Sequence, residues 1–240
     1  MIALFTDFGL EGPYTGQMKA VLAREAPAIP VIDLLADAPP GNVQAGAYLL
    51  AAFAPWFPQG TVFVAVIDPG VGSDRAALAI EADGRWYVGP DNGLFELIFR
   101  RARHSRCFTI TWRSETLSAS FHGRDLFAPV AARIARNAEN DGLRAAKPLR
   151  HADWPDDLAA IVYIDRYGNA MTGLRASILS ADARLRVGGK TLPRARTFAD
   201  MPVGQPFWYE NANGLAEIAV NRGRADQALA LAVGSGVRTE

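Results

Sequence analysis

Three short apolar runs, Ile2 to Phe5, Pro30 to Leu35 and Val62 to Ile67, alternate along the first quarter of the chain with two stretches of helical spacing, and this alternation limits the fold more than any other feature. The runs are rich in β-branched or aromatic residues and bounded by Asp, Gly and Pro, as strands buried on both faces are. Tyr14 to Glu25 and Val43 to Phe57 carry apolar residues at helical spacing, with Pro27 and Pro58 just past their ends. A βαβαβ order of this kind predicts parallel strands joined by helical crossovers. Further on, Leu78 to Glu81 and Trp86 to Val88 flank Asp83-Gly84, a dipeptide suited to a tight hairpin turn. Asp125 to Asn137 reads as a helix with Pro129 near its start, where a missing amide proton is tolerated.

From Glu139 to Asp157 the pattern breaks into polar residues with Pro148 and Pro155, which predicts a domain boundary there. Residues 1–150 are expected to form an α/β domain with a mainly parallel sheet. In residues 158–240, Ile161 to Ile164, Arg184 to Val187, Phe207 to Glu210 and Leu215 to Val220 are short strand candidates separated by Gly, Pro and Asn, the pattern of a small all-β sandwich or barrel.

The 25 basic and 25 acidic side chains of the 240 residues balance, so bulk charge gives no attraction to nucleic acid or to a membrane surface. Cys107 is the one cysteine, which excludes an intrachain disulfide and a cysteine-based zinc site and fits a reducing cytosol. The chain reads as a strand from its first residues, without a basic leader region or an apolar run approaching about 20 residues, so a cytoplasmic location is expected.

In an open α/β sheet, ligands sit outside the carboxyl ends of the strands, so acids that end a strand and precede glycine are site candidates. Asp7 ends the first run and Asp68 the third, the latter followed by Pro69-Gly70-Val71-Gly72 and then by Arg75. On this segment alone, a turn-capping aspartate with a solvated arginine is the slightly better account of the residues. DPGVG lacks the lysine and Ser or Thr of a phosphate-binding loop, so ATP hydrolysis is not supported. Of the three histidines, His104 and His151 lie in Arg-rich polar surroundings and read as solvated, whereas His122 stands in Phe121-His122-Gly123 within the stretch SASFHGRD. A lone histidine beside an aromatic is ordinarily structural, unless Asp68 and Arg75 converge on it. An aspartate, an arginine and a histidine around one water would form an acid–base and electrostatic device. Too few histidines remain for a His-rich metal site and no HExxH occurs, so no metal is expected. Asp165, at the end of Ile161 to Ile164, and Asn169 in the following Gly-Asn turn could simply close a hairpin. They could equally recognise a ligand, Asp165 holding an ammonium and the Asn169 amide donating and accepting toward a heterocycle.

Taken together, TDFG, DPGVG followed by Arg75, GPDNG, SFHGRDLFAP, IDRYGNAMT and EIAVNRG resemble the S-adenosylmethionine hydroxide adenosyltransferase family, relatives of the S-adenosylmethionine-dependent fluorinase and chlorinase. The match runs through nearly the whole chain in order. The resemblance implies a larger N-terminal α/β domain and a small C-terminal all-β, barrel-like domain. It also implies a homotrimer with sites shared between one subunit's first domain and its neighbour's second. By it, Asp68, Arg75 and His122 match a water-activating triad. Asp7 would bind the ribose hydroxyls, with Tyr14 nearby shaping the site. Asp165 would hold the methionine ammonium, Asn169 would read the adenine edge, and the backbone around Asn221 and Arg222 would complete adenine recognition.

The implied reaction is hydrolysis of S-adenosyl-L-methionine to adenosine and L-methionine, with no cofactor. Halogenation and a non-catalytic binding module are the rivals. In the halogenating relatives the Asp68 position carries tyrosine and the His122-Gly123 pair is replaced, and the stretch from Gly93 to Ser118 leaves little room for the fluorinase's long loop insertion. One departure concerns Ala212, where the family often has a serine that contacts the methionine carboxylate.

Overall fold

The computed structural model describes residues 1–138 and 142–240, in two compact units, Met1–His151 and Ala152–Glu240. The first positions of the boundary expected from Glu139 therefore lie outside the described residues.

Unit 1 contains β1 (Ile2–Thr6), α1 (Tyr14–Glu25), β2 (Val31–Leu35), α2 (Val43–Phe53), β3 (Val62–Val66), β4 (Ala77–Ala82), β5 (Arg85–Pro90), α3 (Glu96–Arg101), β6 (Ser105–Ile110), α4 (Ala128–Ala135) and β7 (Leu143–Ala145). The strands form one seven-stranded sheet in the order β2-β1-β3-β5-β4-β6-β7. β2, β1, β3 and β5 are mutually parallel, and β4, β6 and β7 add antiparallel pairs, so most strands share one direction. β1 and β3 are buried throughout, as their uninterrupted apolar sequences require. Ile2, Leu4, Val62 and Val64 share a cluster with Met18 and Leu22 of α1 and Val130 and Ile134 of α4. Fully burying side chains such as Met18 and Leu22 contributes about 1.5–3 kcal/mol each.

Two helices differ from their sequence reading for local reasons. The stretch predicted over Val43 to Phe57 is α-helical only to Phe53 and tightens into a 3₁₀ turn over Ala54–Trp56, because Pro55 has no N–H for the α-helical ladder. The segment predicted over Asp125 to Asn137 opens as a π-helical turn, Gly123–Phe127, before α4, and the left-handed Asn137 lies just beyond its end. Asp83 and Gly84 both take positive φ, 47° and 77°, as the hairpin between β4 and β5 demands. Strand β6, with Ser, Arg and Thr among its residues, lacks the apolar run that marked the central strands.

Unit 2 contains β8 (Leu158–Ile164), β9 (Ala170–Arg175), β10 (Leu185–Val187), β11 (Lys190–Leu192), β12 (Pro206–Glu210), β13 (Leu215–Val220), α5 (Ala225–Ala228) and β14 (Arg238–Thr239). They build a four-stranded sheet, β12-β13-β9-β8, and a three-stranded sheet, β11-β10-β14, with antiparallel pairing in both. Trp208 is fully buried among Ile161, Leu185 and Ile218, and its indole N–H donates to the Ala183 carbonyl at 3.0 Å. Strand β9, which sequence reading missed, is interrupted by Gly173 and ends in Arg175. A Cβ at Gly173 would overlap Leu158 of β8, so the glycine is needed for close strand approach.

Candidate active site

The register of the central strands sets the site. Thr6 of β1 lies level with Val66 of β3, so Asp7 and Asp68 leave neighbouring parallel strands at the same end of the sheet. The Asp7 carboxylate accepts the Gly41 N–H at 2.8 Å. Burial pushes the Asp7 carboxyl up from its ordinary range and nearby Asp68 adds to the rise, while backbone N–H donors pull the other way.

Asp68 and Arg75 form a nearly buried fork. Arg75 Nε donates to Asp68 Oδ1 at 2.7 Å and Nη2 donates to Oδ2, with the two side chains only 10 % and 5 % exposed. The turn between them is held by Ser73, whose hydroxyl donates to the Gly70 carbonyl at 2.7 Å. Arg75 Nη1 donates to the Ala76 carbonyl, and Nη2 approaches His122 Nδ1 at 3.3 Å. A guanidinium only donates, so this contact requires Nδ1 to accept and the His122 proton to sit on Nε2. Burial, and next the Arg75 charge, lower the His122 pKa, which favours that neutral form.

His122 is brought to Arg75 by loop packing. Gly72 has φ 83°, and a Cβ there would sit 2.7 Å from the Ala119 carbonyl, so only glycine lets the DPGVG turn approach the loop that carries His122. The loop is clamped from behind: Ser118 N–H donates to Asp125 Oδ2 at 3.0 Å, Arg124 forks onto Asp125, and Arg124 Nη1 reaches Gln17 of α1 at 2.8 Å. Asn92 of GPDNG donates to the Ile67 carbonyl at 2.9 Å, anchoring the chain just before Asp68.

Asp7, Phe8, Asp68, Phe121 and His122 are among the residues that line a cleft of about 270 Å³. Tyr14, half-exposed at the start of α1, packs edge-on against Phe121 at 5.4 Å and at a tilt against Phe8 at 5.8 Å. Sequence reading missed Phe8, Gly41 and Phe121. Phe8-Gly9 after Asp7 and Phe121-His122-Gly123 were the available signal for the two aromatics.

Unit 2 has its own cavity of about 670 Å³, whose lining includes Asp165, Asn169, Tyr209, Glu217 and Arg222. Asp165 and Asn169 are bound to each other: Asp165 Oδ1 accepts the Asn169 N–H at 2.8 Å and Oδ2 accepts from Asn169 Nδ2 at 3.1 Å, closing the β8–β9 turn. Arg222 is exposed and left-handed, with φ 53°. Asn221 donates to the Met201 carbonyl at 2.6 Å. Ala212 is exposed, and the amide of neighbouring Asn211 is already engaged by Asn213 N–H, Leu215 N–H and Glu217. Of the other two histidines, His104 is exposed. His151 corrects its reading as solvated: it is partly buried, and its backbone N–H donates to Glu96 while its backbone carbonyl accepts from Arg100. No group of three His, Cys, Asp or Glu side chains suited to a metal ion occurs among the described residues, and no helix among them is long and apolar enough to cross a membrane.

A cleft at the carboxyl ends of parallel strands, lined by a carboxylate and an imidazole that one guanidinium links, defines an α/β protein equipped for polar chemistry on a small molecule. The chain belongs to the SAM hydroxide adenosyltransferase family, whose N-terminal domain model matches residues 2–144 and whose C-terminal domain model matches residues 159–238. It is 41% identical to a Thermus thermophilus protein named (R)-S-adenosyl-L-methionine hydrolase, over 99% of this chain and 98% of that one. A protein named fluorinase from Actinopolyspora mzabensis is 24% identical, over 92% of this chain and 90% of its own. The crystal structure of an uncharacterized conserved protein from Thermotoga maritima superposes with a TM-score of 0.90 at 29% identity, covering 100% of this chain and 99% of that one.

Proposed function

We propose that this protein hydrolyses S-adenosyl-L-methionine to adenosine and L-methionine. The observation that carries the reading is the contact of Arg75 with both Asp68 and His122, two residues that line a cleft together with Asp7. Water attacks the ribose C5′ carbon, and the C5′–S bond breaks with its electron pair going to sulfur. The sulfonium thereby becomes the neutral thioether of methionine, which needs no proton. The water proton passes to Asp68 and on to solvent, leaving the 5′-hydroxyl of adenosine. Because Arg75 occupies His122 Nδ1, the histidine orients the water through Nε2–H rather than taking its proton. Arg75 stabilises developing hydroxide character, and holding the water in line with the C5′–S bond adds a proximity advantage. A carboxylate at Asp68 repels halide, which favours hydroxide over a halogenating reaction. The greater identity to the hydrolase than to the fluorinase supports the same choice.

In this reading Asp7 holds the ribose hydroxyls beside Tyr14, Asp165 takes the methionine ammonium, Asn169 reads the adenine edge, and the chain around Asn221 and Arg222 completes the adenine site. The name of these relatives extends the reading to the (R) sulfonium epimer. A cytoplasmic homotrimer, with the two cavities meeting across a subunit boundary, completes it.

Incubation with S-adenosylmethionine and chromatography should yield adenosine and methionine in equal amounts, with EDTA leaving the rate unchanged. Retention of the compound without turnover would reduce the protein to a binding module, and product that depends on halide would make it a halogenase. For the trimer, an Asp68→Ala variant mixed with an Asp165→Ala variant after dissociation and reassembly should regain activity. No recovery despite proven exchange would place the whole site within one chain.

A further inference from the structure

The turn that carries Asp68 and Arg75 leaves β3 and returns as β4, and in the sheet β5 lies between those two strands. Because β5 runs parallel to β3 and antiparallel to β4, the turn crosses the end of β5, where residues 89–93, GPDNG, close that strand. Hydrogen bonds inside the turn shape it: Val71 N–H donates to the Asp68 carbonyl at 3.2 Å and Ser73 N–H to the Gly70 carbonyl at 3.1 Å. Its seat on the sheet comes from GPDNG. Asn92 Nδ2 donates to the Ile67 carbonyl at 2.9 Å, one residue before Asp68, and Asp91 N–H donates to the Ala76 carbonyl at 3.0 Å, one residue after Arg75. The Asn92 amide is oriented by its own Oδ1, which accepts the Leu94 N–H at 3.3 Å, so its NH₂ group faces Ile67. The close approach of β5 to β3 requires glycine at position 89, where a Cβ would overlap the Ala65 carbonyl.

A carbonyl and the N–H that follows it share one rigid peptide plane. Holding the Ile67 carbonyl therefore fixes the plane that ends at the Asp68 Cα, and with it the direction in which the carboxylate leaves the chain. The Ala76 carbonyl held by Asp91 also accepts Arg75 Nη1 at 3.1 Å, so both sides of the Asp68–Arg75 fork are tied to the same short segment. We infer that Asn92 is a positioning residue for the reaction: through the Ile67 carbonyl it keeps the Asp68 carboxylate aligned with Arg75 and with the attacking water. It acts through the chain rather than on the substrate, so losing its bond costs alignment and leaves binding intact. The inference rests on the reading that Asp68 and Arg75 activate that water.

The test is a double-mutant cycle read in kcat and KM with S-adenosylmethionine, at a temperature where circular dichroism shows each variant folded. Asn92→Ala removes the amide. Asn92→Asp keeps the shape and the bond from Leu94 N–H but has no donor for Ile67, so it reports on the same bond if the alanine variant does not fold. Either should lower kcat about tenfold and change KM by less than about twofold. In an Arg75→Lys background, where the fork is already broken, the same substitution should lower kcat by about twofold or less, because residues that act as one unit are not additive. Parental kcat in the Asn92 variants, a loss carried by KM, or the same fold-loss in both backgrounds would overturn the inference. A parental protein that forms no adenosine would instead overturn the functional reading on which it stands.

Discussion

Replacing Arg75 with lysine keeps the positive charge and removes the fork, so it separates geometry from charge at the centre of the proposed site. Arg75 makes four donor contacts from three nitrogens: to both oxygens of Asp68, to the Ala76 carbonyl and to His122 Nδ1. A lysine ammonium donates from one atom and cannot span these acceptors. It can keep one bond to Asp68, losing the second and the contacts to Ala76 and His122. Hydrogen bonds to charged groups contribute about 1.5–3 kcal/mol and neutral ones about 1 kcal/mol. Because the pair is 10 % and 5 % exposed, little of that loss is recovered from water. Arg75→Lys should therefore cost about 2–4 kcal/mol, which in a protein of this size lowers the melting temperature by roughly 5–15 °C. With His122 no longer anchored, kcat should fall about 100-fold while KM changes little, as for groups that act mainly in the transition state. Thermal melting by circular dichroism and chromatographic assay of adenosine read the two effects. A variant with parental kcat and parental melting temperature would refute the argument that the fork organises the site. An unchanged kcat with a large rise in KM would move Arg75 from chemistry to recognition.

The His122 pKa is lowered by burial and by Arg75, and only neutral His122 can accept from that guanidinium, so activity should hold above the ordinary imidazole value near 6.5 and fall on the acid side below it. An acid limb that persists unchanged in His122→Asn would assign the titration to another group. Glu96 of α3 tests linkage away from the site. Burial alone would raise its carboxyl, but Arg150, the His151 N–H and Arg100 hold it down at about 2. A depressed carboxylate contributes stability above its unfolded value of 4.5, lost as pH falls toward 2, here about 3 kcal/mol. Urea unfolding should show this loss between those values in the parent, and Glu96→Gln should lack it. A variant with the same acid sensitivity as the parent would place the titrating group elsewhere.

The sequence by itself determined the parallel centre of the sheet, the helix that starts at Tyr14, the Asp83-Gly84 hairpin and the presence of acids at the ends of β1 and β3. Each of these is a local property, written in the spacing of apolar side chains or in the backbone freedom of two neighbouring residues. The π-helical turn after His122 was not legible, because apolar spacing does not separate one wide turn from an ordinary helical start. Nor was the partnership of Glu217 with Tyr209 and Asn211. Glu217 stands inside the run LAEIAV, and its partners Tyr209 and Asn211 depend on how β12 pairs with β13. The convergence of the candidate triad was likewise decided only in three dimensions. Arg75 and His122 are 47 residues apart, and their contact exists because the Gly72 turn fits against the Ala119 carbonyl while Arg124 and Asp125 clamp the loop. Residue types that can carry charge or a proton are visible in a sequence. Whether they act on one another depends on distances of about 3 Å, and those are set by sheet register and loop packing.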